Sequence, residues 1–83
     1  MENDNIPSEI ADRLRILSGH LQAVEDEEAY IERGRLLWSL GRRREAINDY
    51  LAAQKINPAG KATQLLKATY EILDFYNKDL FNP

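Results

Sequence analysis

The chain has 83 residues, 43% of them hydrophobic and 30% charged, with a net charge of -3 and no cysteine. That length makes one small domain, which buries about 60 to 65 per cent of its unfolded surface, so packing against a partner or a second copy would add to its stability. The composition excludes a disordered or membrane-embedded chain, the missing cysteines exclude disulfides and thiolate metal sites, and the negative balance argues against a general nucleic-acid binder.

The opening segment, residues 1–7, is acidic and polar and reads as a loose leader. It lacks the basic and then apolar segments of a secretory signal, and no apolar run approaches the roughly 20 residues that span a bilayer, so a cytoplasmic protein is expected. A first helix follows over residues 8–22, with Ser8 placed to cap it and an apolar stripe of Ile10, Leu14, Leu17 and Leu21 at helical spacing. Gly19 inside it either ends the helix early or allows a close contact.

The acids from Glu25 to Glu28 suit the positive end of a second helix dipole. This helix is expected from Glu27 to Leu40, with Gly41 stopping it in a left-handed cap. Its apolar residues wrap more than one face, so two neighbours must cover it or a surface stays open for a ligand. A third helix, from Arg43 to Ile56, carries Ala46, Ile47, Tyr50 and Ala53 on one side, and Pro58 forbids its continuation. The fourth is expected from Gly60 to Tyr76, with Leu65, Leu66, Thr69, Ile72, Leu73 and Tyr76 as its stripe. No strand is predicted. Residues 77–83 close an aromatic-rich end, starting at Phe75, that is expected to fold back on the helices or to meet a partner.

Two antiparallel helices approach closely only where small residues sit at their crossing. Gly34 and Ala46 are the candidates, with Tyr50 filling the wider part and Ala53 leaving room for the helix after Pro58. Across residues 27–58, Tyr30, Gly34, Leu37, Gly41, Ala46, Tyr50, Ala53 and Pro58 fall in a single register that resembles the tetratricopeptide repeat, a helix-turn-helix unit of about 34 residues. Arg33, Arg43 and Gln54 depart from that pattern, standing where the repeat has apolar residues. The flanking helices resemble half repeats, as in short stand-alone bacterial repeat proteins. Such units do not bury their apolar faces alone, so terminal caps or a homo-oligomer are implied.

The resemblance implies an all-α helical hairpin repeat of about four helices and a non-catalytic role in protein-protein interaction, as a small adapter or assembly module. Partner peptides would lie along Glu28, Ile31, Arg35, Trp38 and Ser39 of the second helix. Trp38 beside Arg35 makes a candidate anchor pair, because such residues often dominate binding energy, and burial of Trp38 in the core is the competing reading. Arg42, Arg43 and Arg44 at the turn answer the negative end of the second helix. A sharper alternative makes them, with Arg33 and Arg35, a binder of nucleic acid or another polyanion. His20 is the lone histidine, no Cys-His couple exists, the glycines form no phosphate-cradling loop, and the acids form no recognisable pocket. No enzyme activity, cofactor or metal is expected.

Overall fold

The computed structural model describes residues 6–81 of the backbone, and side chains as far as Phe75. It contains four helices, α1 (Ser8–Ala23), α2 (Glu27–Ser39), α3 (Arg43–Ile56) and α4 (Lys61–Phe81), and no strand among the described residues. The fold is all-α, and each helix packs on the next in sequence. The leader expected over residues 1–7 lies outside the described residues except for Ile6 and Pro7.

Each boundary has a local cause. Pro7 holds the N-cap position of α1, and the Ser8 hydroxyl expected there makes no capping bond. Gly19 does neither of the things its position suggested: α1 runs through it, and a Cβ built there would meet nothing within 4 Å. Asp26 caps α2, its Oδ1 accepting from the backbone N–H groups of Glu28 and Ala29 at 3.1 and 3.3 Å. At the other end Gly41 takes φ +81°, which L-residues with a Cβ adopt reluctantly. Its N–H donates to the Trp38 carbonyl at 3.0 Å and that of Arg42 to Leu37 at 2.9 Å, the paired bonds of a Schellman stop. After Pro58, the chain turns through a 3.0 Å bond from Gly60 N–H to the Asn57 carbonyl, and α4 starts one residue later than expected.

Gly34 and Ala46 form the crossing of α2 and α3. A Cβ on Gly34 would lie 2.5 Å from Tyr50 Cε1 and 3.2 Å from the Ala46 carbonyl oxygen, so the bare backbone of α2 is what admits the Tyr50 ring. Ala46 and Ala53 are fully buried, and Tyr50 nearly so. The two alanines let α3 lie close to α2 on one side and α4 on the other. The core continues into Ile31, Ala53 and Ala62, one residue from each of α2, α3 and α4, with Tyr30 and Leu65 packed at its edge. Leu17 anchors α1, and Leu66 and Thr69 anchor α4.

Two expectations about α4 change. It continues as helix to Phe81 instead of ending at Tyr76, and the side chains of Tyr76 and of the aromatic end beyond it lie outside the described residues. Nothing in residues 75–81 is a Gly, Pro or capping turn that would end the helix. Ile72, assigned to the buried stripe, points outward and is 43% exposed. Its neighbours Leu66, Thr69 and Leu73 take the inner side instead, because α4 meets only one flanking helix, α3, along much of its length.

Candidate functional site

The three departures from the repeat pattern each have a partner, polar for Arg33 and Gln54 and aromatic for Arg43. The Arg33 guanidinium grips the Asp49 carboxylate through two bonds, Nε to Oδ2 at 2.7 Å and Nη2 to Oδ1 at 2.8 Å, while Nη1 donates to Ser18 Oγ at 3.2 Å. One side chain therefore ties α2 to both α1 and α3. Its guanidinium also lies 5.8 Å from the Tyr30 ring centre. Asp49 is only 5% exposed, so this is a desolvated, bidentate pair rather than a surface one. Gln54 donates to Thr63 Oγ1 at 3.1 Å, and that hydroxyl donates to the Pro58 carbonyl at 2.6 Å, which fixes the entry of α4. The guanidinium of Arg43 lies 5.4 Å over the Trp38 ring. Asp49 is the functional-looking residue that reading the sequence missed; the charge of Arg33 at an apolar register was its only signal.

The five residues assigned to partner binding do not share one surface. Glu28 and Arg35, with Glu32, line an open depression of about 250 Å³ between α2 and the Lys61 end of α4. Ile31 forms its floor and is 4% exposed, so it is a core residue: its side chain is already taken up by Ala53 and Ala62. Trp38 is half-buried, does not line the depression, and is covered on one ring face by Arg43. The cation stacked on the Trp38 ring is thus Arg43, a residue of α3. Ser39 is exposed, with its hydroxyl turned back to the Leu36 carbonyl at 2.7 Å.

Charge within the depression is mostly answered. Lys61 Nζ stands 3.6 Å from Glu28 Oε1, and Glu32 takes a bidentate contact from Arg13, at 2.6 and 2.8 Å. The Arg13 bonds hold the Glu32 carboxyl below the usual range. Arg35 is exposed and makes no ion pair among the described residues, which leaves one free planar cation over an apolar floor.

The basic turn is less concentrated than its sequence suggests. Arg42, Arg43 and Arg44 line an open groove with Gly41 and Glu45. However, Arg43 is committed to Trp38, Arg42 Nε stands 3.9 Å from Glu45, and Arg33 is sequestered by Asp49. The arginines therefore do not form a single stripe. His20 Nε2 sits 2.9 Å from Asp26 Oδ2, linking the end of α1 to the cap of α2. Among the described residues no cluster of His, Cys, Asp and Glu could hold a metal, and no helix is long and apolar enough to cross a membrane. Comparison with protein-family models, with curated proteins and with solved structures gave no match.

Proposed function

We propose that this chain is a non-catalytic protein-protein interaction module of the tetratricopeptide type, acting as a small cytoplasmic adapter or assembly protein that also self-associates. The observation that carries the reading is the open stack: a close-packed α2/α3 hairpin, crossing at Gly34, Ala46 and Tyr50, with one helix added on each side and each helix packed mainly on its neighbours. A stack of this kind leaves long side faces for another protein. The depression at Glu28, Arg35 and Lys61 is the contact surface for a partner, with Arg35 positioned to take a partner carboxylate.

The full chain used as bait in extract of its native cell tests this. The wild type is expected to retain a protein that Arg35→Glu loses, with both baits giving the same helical circular dichroism. Retention of nothing above a heat-denatured control would reject the adapter role. Binding of DNA or RNA at low salt that disappears when Arg42, Arg43 and Arg44 become Ala would put a polyanion binder in its place.

A further inference from the structure

α2 begins at Glu27 and α4 at Lys61, 34 residues on, so each position on α2 has a counterpart on α4. The side of α2 that α3 covers includes Gly34, Leu37 and Trp38. On α4 the corresponding residues are Ala68, Glu71 and Ile72. They are exposed, and with Phe75, itself 72% exposed, they line an open apolar hollow of about 480 Å³. Among the described residues α3 lies over this face of α2, and no helix lies over that of α4. α4 runs on as helix to Phe81, with no turn back across the hollow up to that residue.

The charges bordering this face indicate what covers it. Lys67 and Glu71 are exposed, one helical turn apart, and neither makes an ion pair among the described residues. Two such helices crossing antiparallel about a twofold axis set each Lys67 against the other's Glu71, with the small Ala68 near the axis permitting close approach. The exposed side of α1 offers no comparable complement, since Asp12 and Arg15 there already pair with each other at 3.2 Å. α4 also has 21 residues against 14 in α3, which leaves length for a second helix to lie along.

We propose that the occupant is a second copy of this chain, α4 packing on α4 around Ala68 with reciprocal Lys67–Glu71 pairs. The proposal rests on the interaction-module reading and names the surface through which that module pairs with itself. Such an interface is isologous, so it closes at two chains and does not propagate into a fibre.

Sedimentation velocity on the full chain, from roughly 1 to 500 µM, tests this, with helical content checked by circular dichroism for each variant. The wild type is expected to pass from monomer to dimer within this range. Ala68→Arg should weaken association by about 100-fold, and Lys67→Glu or Glu71→Lys alone by about 10-fold. The double charge exchange, Lys67→Glu with Glu71→Lys, should recover association to within about 3-fold of wild type, because the reciprocal pairs are rebuilt with opposite sign. A wild type monomeric throughout, a dimer indifferent to Ala68→Arg, or a double exchange as weak as the single changes would each overturn the proposal. A monomer that still captures a partner from extract leaves the adapter role standing and removes only the α4 pairing. A dimer that captures nothing does the reverse.

Discussion

At the scale of single residues, two glycines in helices give opposite predictions for the same substitution. Gly→Ala in a helix interior gains about 1 kcal/mol from backbone entropy alone. Gly19→Ala should show that gain in urea unfolding, since nothing stands where its Cβ would go. Gly34→Ala should instead destabilise by about 1 to 3 kcal/mol, because the new methyl meets Tyr50 and the Ala46 carbonyl. Equal effects at the two sites would mean that Tyr50 does not fill the space over Gly34. The Arg33–Asp49 pair is as specific. Asp49→Ala leaves a half-buried guanidinium without its carboxylate and should cost about 1 to 3 kcal/mol, whereas Arg33→Met with Asp49→Leu should cost less, since no unpaired charge remains. Such a difference between single and double variants, read from urea midpoints, separates a buried pair from a surface one.

Protonation acts at the same scale. Asp26 is held below the usual aspartate range first by its bond with His20, then by the backbone N–H of Ala29. A carboxyl depressed on folding adds stability above its unfolded pKa of about 3.9 and loses it as pH falls through the lower folded value. Unfolding midpoints should therefore decline below about pH 4, less steeply in Asp26→Asn. Tyr50 behaves in the opposite sense. Burial raises its phenol, so its contribution is complete below the ordinary tyrosine value of about 10 and is lost as pH rises beyond it. A Tyr50→Phe variant should flatten the alkaline decline; an unchanged slope would place the phenol in water.

At the scale of the helix, Ala46→Leu should overpack the hairpin by about 1 to 3 kcal/mol, since α2 and α3 have no room for three further carbons at a fully buried position. A neutral urea midpoint would show that the helices do not cross there. The helices themselves were legible because their causes are local: Gly41 and Pro58 punctuate, and the stripes of α1 and α3 repeat at helical spacing. What was not legible depended on partners distant in the chain. Arg33 reads as a misfit until Asp49 is brought beside it, and Ile31 reads as surface until Ala62 of α4 closes over it. The helix α4 was expected to stop at Tyr76, although no residue from there to Phe81 ends a helix. Trp38 stood equally poised between core and surface in the sequence, and Arg43 resolves it as a half-buried ring with a cationic cover.

At the scale of the molecule, the principal dimensions are 44 × 38 × 15 Å, a thin slab with little interior. A domain of this size has a small margin of stability, and an uncovered apolar side on α4 is a standing reason to associate. The side of α4 that matches the α3-covered side of α2 has no helix over it among the described residues. Hydrogen exchange measured as a function of protein concentration reads that claim most directly. Amides of residues 65–75 should exchange more slowly as concentration rises from about 1 to about 200 µM, while those of α1 stay unchanged. Exchange in α4 that is the same at every concentration would contradict the account.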